Sequence, residues 1–450
     1  MKHVHLIGIG GTGLSAIARV LLESGYPVSG SDRQLSVLAQ SLQDAGAKVF
    51  VGHQAENVNG ADVVVRSSAV PDENVEVQAA LLKRIPVLKR AEFLGQIMAN
   101  HQTIAVAGTH GKTSTTAMIA WLLTELEQHP SFIVGSMISG LGTNARSGEG
   151  THFVIEADEY DRMFLGLNPA IAIVTNVEHD HPDCYPTPED FRAAFQDFVG
   201  LLEPDGVLLV CGDDAGARQL LPHADQALTY GLKNPSNDYQ ARNLIIDPAG
   251  GYRFEVYFQA KKLANCVLQV PGEHNVENGL AALAVAHQLS LSVVNAATAL
   301  GTFQGTGRRF EIIGEANDVT VISDYAHHPT EIRATLSAAR ARYAGQNIWA
   351  VWQPHTYSRS KLLLDEFAAS FADADHVLVT DIYAAREPVA PDFSGANLVA
   401  KMDHSSAQFS ANLSTTTEIL LDRLSPGEVL IVLSAGDADQ ICHQVLEGLQ

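Results

Sequence analysis

Thr103-Ile-Ala-Val-Ala-Gly108-Thr109-His110-Gly111-Lys112-Thr113-Ser114 reads as an apolar strand that breaks at a glycine turn and runs into a helix opened by Lys-Thr. Strand, glycine turn, Lys-Thr and helix in that order make a phosphate loop. Lys112 is placed to hold the β/γ phosphates of a nucleoside triphosphate, and the Thr113 hydroxyl to reach Mg²⁺. The spacing departs from G-x-x-x-x-G-K-[ST], because Val106 stands at the first glycine position.

A second glycine loop precedes it. Gly8, Gly10 and Gly13 form G-x-G-x-x-G between an apolar strand from His3 to Ile9 and a helix from Gly13 to Ser24. Asp32 closes the next strand 19 residues after Gly13. That arrangement brings backbone N–H groups and a helix N-terminus to a diphosphate, with an acid for a sugar or base. Alone it reads as a nicotinamide or flavin site. A dehydrogenase has no use for the second loop, and a simple ATPase has none for the first. Together they point to a nucleotide-linked substrate brought to ATP.

Working outward, strand-like runs alternate with helix-length segments through nearly all 450 residues, the pattern of an α/β chain with parallel sheets. Ala61 to Arg66 completes a first sheet before about residue 100. Thr103 to Ala107, Phe153 to Glu156 and Ile171 to Asn176 begin a second. Tight spacing from Asp238 to Val270 predicts inserted antiparallel β segments, and helix returns at Val276 to Leu289. After Arg308, Arg309 and Phe310, strands at Val319 to Ser323, Ile348 to Trp352, His376 to Asp381 and Val429 to Leu433 suffice for a third sheet. Three domains are expected: 1–100 Rossmann-like, 101–310 a central P-loop ATPase-like α/β domain with the inserted β segments, and 311–450 Rossmann-like again. The polar stretch Asp403 to Thr417 reads as a surface connection or weak element.

Composition removes several classes of function. With 51 acidic against 29 basic side chains the formal net charge is -22, which argues against nucleic acid as a partner. No run reaches the roughly 18 to 20 apolar residues of a membrane helix, so no membrane insertion is expected. The N-terminus lacks a long apolar region before a small-residue cleavage site, so no signal peptide is expected. Cys184, Cys211, Cys266 and Cys442 are far apart with no CxxC pair, which fits a reducing cytoplasm.

Polar residues gather at the predicted strand ends, where ligands of α/β sheets belong. Glu156-Ala-Asp158-Glu159-Tyr160-Asp161 follows one strand and Asn176-Val-Glu178-His179-Asp180-His181-Pro-Asp183 the next, with Glu156 and His181 the preferred Mg²⁺ ligands beside Thr113. A third group pairs Ser323-Asp324-Tyr325-Ala326-His327-His328 with Gln353-Pro-His355-Thr356-Tyr-Ser-Arg359.

In order along the chain, GIGGTGLS, GSD, SSAV, RAEFL, AGTHGKTSTT, EADEYD, TNVEHDHPD, PGEHNVENGLAA, GTGRRFE, DYAHHPTEI and QPHTYSRS resemble the Mur ligases of peptidoglycan precursor synthesis. The likeness covers nearly the whole chain, and it is nearest to the members that add L-alanine to UDP-N-acetylmuramate. It implies that Gly8, Gly10, Gly11, Gly13, Asp32, His53, Ser67, Ser68 and Asn176 serve the UDP-sugar. Gly108, Thr109, His110, Gly111, Lys112, Thr113 and Ser114, with Glu156 and His181, would serve ATP and Mg²⁺. Asn278, Arg309 and Asp324 would lie around adenosine and phosphates, and His327, His355 and Arg359 near L-alanine or the reacting carboxylate. The implied reaction passes through an acyl phosphate in a cytoplasmic monomer or homodimer.

Three positions depart from that pattern. Tyr160 stands where many alanine-adding members have Ser, and Tyr also occurs in the ligase that attaches a recycled murein tripeptide, the first alternative. Thr356 stands where Arg is usual. Ala194-Phe195-Gln196 lacks the lysine that later-acting members carry past the metal histidine. A nicotinamide-dependent dehydrogenase or nucleotide sensor using only the first loop is the second alternative, and it predicts no ATP turnover.

Overall fold

Val4–Ile7 is buried at all four positions, as a central strand covered on both faces must be. In the computed structural model, which describes residues 2–248 and 250–450, this strand is the middle of a five-stranded parallel sheet. The order is Lys48–Val51, Val28–Asp32, Val4–Ile7, Val63–Arg66, Val87–Lys89. Strand order reverses beside Val4–Ile7, so the crevice at its carboxyl end, where Gly8 begins, is the place such sheets bind ligands. The helix Thr12–Glu23 follows. It buries Leu14, Ile17, Ala18, Val20 and Leu21 against the sheet, and its N-cap, Gly11, offers no side-chain acceptor.

A ten-stranded sheet follows: Lys261–Leu268, Tyr252–Phe258, Tyr239–Ile246, Ala227–Gly231, Val207–Cys211, Ile171–Val174, Gln102–Ala107, His152–Glu156, Ser131–Ile138, Thr143–Arg146. Gln102–Ala107 pairs in parallel with Ile171–Val174 and His152–Glu156, which delivers the second glycine loop and the two acidic motifs to one edge. The helix Lys112–Glu125 is buried at Thr113 and continuously from Thr115 to Leu123. Such all-round burial identifies a helix inside a core rather than on a surface. The expected insert of short strands is present, and its three strands are neighbours in the sheet.

The chain forms two compact units. One takes residues up to Ala241 with 256–264 and 278–300; the other takes 242–255, 265–277 and 301–450. In the first unit a single apolar cluster runs from Val4, Leu6 and Ile17 through Phe93, Leu94 and Met98 to Ala105, Phe153 and Phe164. The first two sheets therefore share one core. The second unit holds a six-stranded sheet in the order Glu311–Ala316, Val319–Asp324, Val429–Ser434, Ile348–Gln353, His376–Val379, Ala407–Phe409. It is parallel except for the hairpin of its first two strands. The stretch Asp403 to Thr417 is more ordered than its polarity suggests, since it contains the edge strand Ala407–Phe409 and the start of the helix Leu413–Arg423, capped by Asn412. Short polar strands at a sheet edge carry little hydrophobic signal. Among the described residues no helix is long and apolar enough to cross a membrane.

Glu76, fully buried, organises the interior of the first sheet. It accepts hydrogen bonds from Ser31 Oγ at 2.5 Å and Asn57 Nδ2 at 2.5 Å, and His5 Nε2 lies at 3.6 Å. Burial raises this carboxyl, but His5, Ser31 and Asn57 outweigh it and bring it down to about 2. An acid whose folded pKa is depressed lends stability above its unfolded value, lost as pH falls through the folded one. The contribution of Glu76 is therefore complete above about 4.5 and disappears towards 2. Glu76→Gln should lower unfolding free energy at pH 7 by on the order of 3 kcal/mol. Urea titrations from pH 7 to 3 should also show a flatter acid limb than the parent's; an unchanged limb would disprove the assignment.

Candidate functional site

The second glycine loop is held open by its own backbone. Gly108 has φ +136°, and a Cβ there would collide with Thr175 Oγ1. Gly111 has φ +80°, with Asn278 Oδ1 2.8 Å from where its Cβ would stand. Only glycine takes both conformations without strain. Neighbouring strand ends grip the loop from outside. Asn176 Oδ1 accepts from His110 N–H at 2.8 Å, and Asn176 Nδ2 donates to His110 O at 3.1 Å. Thr109 Oγ1 donates to Glu178 O at 2.7 Å, and His110 Nε2 meets Glu178 Oε2 at 2.9 Å. Asn176, expected with the UDP-sugar residues, thus braces the phosphate loop, and Ser114 follows on the helix the loop opens.

Lys112 lies across this loop. Its Nζ donates to Gly108 O at 2.5 Å, Thr109 O at 3.0 Å and Glu159 Oε1 at 2.9 Å. Burial alone would lower the lysine, yet Glu159, Asp158 and Glu156 outweigh it and hold the ammonium above its ordinary range. Burial pushes the Glu159 carboxyl up to about 7, with Lys112 pulling the other way and Asp158 adding to the rise. Glu159 was not singled out from sequence. Its signal is present in EADEYD, but the sequence reading settles on Glu156 for the metal, and nothing in the motif marks Glu159 as the partner of Lys112.

Glu156 has a different post. Oε1 accepts from Thr113 Oγ1 at 3.0 Å and Oε2 from Gly135 N–H at 2.7 Å. Two oxygens that far apart match adjacent positions around an octahedral Mg²⁺, which are ~3 Å apart when the bonds are ~2.1 Å. Thr113 and Glu156 therefore fit a magnesium ion. His181, in a left-handed backbone conformation at φ +54°, has Nε2 3.6 Å from Glu159 Oε1 and 3.8 Å from Asp180 Oδ2. Tyr160 packs edge-on against the His181 ring at 5.1 Å and donates to Asp183 Oδ2 at 3.1 Å.

At the first loop Asp32 turns inward. Its Oδ2 accepts from Gly10 N–H at 2.8 Å, and Ser36 Oγ donates to Gly10 O at 3.1 Å. The acid fixes the loop's shape as well as standing beside it. Gly8 N–H donates to Ser31 O, and Ser67 N–H to Ile7 O. Ser68 is exposed next to it. His53 Nδ1 lies 3.1 Å from Ser31 Oγ and 3.4 Å from Glu76 Oε2, so the buried acid positions this ring. Arg90 is a second residue that sequence reading left unassigned.

The second unit gathers the third group. Asp324, buried, accepts from Phe310 N–H and Ala326 N–H at 2.7 Å each. Burial pushes it up to about 6 against the pull of Arg309 and those amides. Arg309 lies over the Tyr325 ring at 5.1 Å and 3.7 Å from Glu331. His274 is driven down to about 4 by burial and then by Arg309, with Glu331 opposing. The His327 and His355 rings are 5.8 Å apart, and Arg359, buried, meets His355 Nδ1 at 3.2 Å. All five expected residues of this unit thus form one cluster, in which Arg309, Arg359 and the two imidazoles suit anionic ligands while Asp324 and Glu331 hold the cations in place.

Comparison with known proteins gives a consistent result. Three family models match in succession: "Mur ligase family, catalytic domain" over residues 3–102, "Mur ligase middle domain" over 106–286, and "Mur ligase, glutamate ligase domain" over 308–436. A UDP-N-acetylmuramate–L-alanine ligase of Acidobacterium capsulatum is 43% identical over 100% of this chain and 98% of its own. The solved UDP-N-acetylmuramate–alanine ligase of Thermotoga maritima superposes with TM-score 0.84 at 28% identity, covering 99% of each chain. A murein peptide ligase of Psychrobacter arcticus gives 0.72 at 26% identity, covering 100% and 99%.

The buried ion pair makes a direct prediction. In Lys112→Met the pull on Glu159 is gone, so its carboxyl rises beyond about 7. A raised acid favours the folded state below its unfolded pKa and loses that advantage as pH climbs. Relative to the parent's, the variant's melting temperature should fall as pH climbs above about 7, where Glu159 ionises in the folded parent and stays protonated in the variant. The loss should reach about 3 to 5 kcal/mol once Glu159 ionises alone. Adding Glu159→Gln should remove most of that slope; a slope that persists in the double variant would disprove the pairing.

Proposed function

The chain belongs to the Mur ligase family, and from that premise we propose that it joins L-alanine to the carboxylate of UDP-N-acetylmuramate at the expense of ATP. It is a ligase of peptidoglycan precursor synthesis, forming a carbon–nitrogen bond. One observation carries this reading: the chain matches alanine ligases from end to end while holding two phosphate loops in one compact unit.

The middle domain takes ATP on the Gly108–Ser114 loop, and the first glycine loop takes the UDP-sugar. Thr113, Glu156 and His181 are assigned to Mg²⁺; the ion would offset charge on the phosphate oxygens. The muramate carboxylate attacks the γ-phosphorus, an O–P bond forms, the bond to ADP breaks, and an acyl phosphate results. Lys112 stabilises the charge gathering on the phosphoryl oxygens, and Arg309 is suited to the same work. The L-alanine amine then attacks the acyl carbon, C–N replaces C–O, the amine gives up a proton and phosphate leaves. His327, His355 and Arg359 are assigned to the amino acid and the reacting carboxylate. Asn278 and Asp324 are assigned to the adenosine side. No protein nucleophile is required, so rate comes from positioning and fixed charge.

Attachment of a recycled tripeptide is the second reading, and Tyr160 is the feature that favours it. That side chain, however, is engaged with His181 and Asp183, within the loops of the phosphate site.

Phosphate release from ATP, Mg²⁺ and UDP-N-acetylmuramate should depend on L-Ala, with weaker response to Gly and L-Ser, since one methyl group discriminates by only ~1 to 3 kcal/mol. Release with the tripeptide alone would overturn the alanine reading, and none with any acceptor would restore the dehydrogenase. Lys112→Ala should reduce kcat by at least roughly 10²–10³-fold while equilibrium binding of UDP-N-acetylmuramate persists.

A further inference from the structure

Arg90 stands between the two phosphate loops. It opens the helix Arg90–Met98, which follows the last strand of the first sheet. Its Nη2 donates to Asp158 Oδ2 at 3.0 Å. On the other side of the same guanidinium, Nη1 occupies the space that a Cβ on Gly13 would enter. Gly13 is in the first turn of the helix Thr12–Glu23, whose N-terminus has no side-chain cap and no acid in that turn. The arginine fork therefore presents one nitrogen to a carboxylate and the other to an uncapped helix N-terminus.

The backbone that carries Arg90 is tightly seated. A Cβ at Gly95 would lie 2.9 Å from Gly166 O, and one at Gly166 would collide with Ala91. The helix and the segment Tyr160–Gly166 thus pack backbone against backbone, so they move together. Asp158 also accepts from Tyr160 N–H at 3.1 Å, and the next residue, Glu159, pairs with Lys112. Arg90, beside the first glycine loop, is thus tied to Asp158 by one charge-assisted bond, and the adjoining Glu159 is tied to the lysine of the second loop by another.

We propose that Arg90 is a positioning residue that couples the two loops: a diphosphate on the first loop takes its Nη1 while Nη2 stays on Asp158, which fixes the acidic motif beside Lys112 and tightens the triphosphate site. This rests on the reading that the first loop takes a sugar nucleotide. A planar guanidinium suits the task, because its two terminal nitrogens bind two anions in fixed geometry and a lysine ammonium does not. By linkage each ligand strengthens the other by the same factor.

The test is equilibrium binding to the full chain with Mg²⁺ and without amino acid. A non-hydrolysable ATP analogue is titrated in the presence and absence of UDP-N-acetylmuramate, and then the reverse. For the unaltered protein the second ligand should bind about 5-fold or more tightly when the first is present, by the same factor in both orders. In Arg90→Gln the analogue alone should bind nearly as before and the coupling factor should fall close to one. Asp158→Asn, which leaves the arginine in place, should also abolish coupling and serves if the first variant folds poorly. Coupling that survives in either folded variant would overturn the proposal, as would its absence in a parent protein that binds both ligands. Failure of the parent to bind UDP-N-acetylmuramate at all would overturn the reading of the first loop and the link with it.

Discussion

A lysine ammonium shut inside a protein must find opposite charge or give up its proton, and Lys112 meets that demand with two loop carbonyls and Glu159. Much of the first unit follows from satisfying it. The carbonyls face inward only because Gly108 and Gly111 take positive φ. Glu159 is in reach only because His152–Glu156 pairs in parallel with Gln102–Ala107 and ends beside it. Tyr185 then closes the far side by donating to Glu159 O at 2.5 Å. A bound triphosphate would supply charge where a buried carboxylate now does, and burial, which raises the Glu159 carboxyl, makes that charge costly to keep.

Local chemistry was legible in the sequence. Both glycine loops, the strands that lead into them and the helices that leave them are spelled by neighbouring residues, because positive φ and an apolar strand are requirements met within a few positions. The alternation of strand and helix sufficed to give three sheets, the first parallel throughout and the other two mixed. Lys112 and Thr113 of one motif, with Glu156 and Asn278 of two others, do come together around the second loop.

Contacts between distant segments were not legible. Arg90 and Asp158 are 68 residues apart, and nothing in RAEFL indicates which carboxylate its first residue meets. Within EADEYD the division of labour between Glu156 and Glu159 is decided by the direction each side chain leaves the strand end, a tertiary fact. Glu76, in the helix Val75–Leu82, has the look of a surface acid until Ser31, Asn57 and His5 are seen to enclose it. The edge strand Ala407–Phe409 failed to register because its residues are half-buried and mixed in polarity.

Asn176 binds His110 through both ends of its amide, as an adjacent strand would bind a peptide unit. A side chain here imitates backbone, and the sheet in effect extends beyond its last strand pairing, Val174 with Ala107, into the loop. The loop is thus held by protein groups alone, which leaves a ligand little conformational entropy to remove. A nucleotide taken up on this loop would accordingly dock onto a finished surface, with the free energy of contact going into affinity rather than into shaping the receptor.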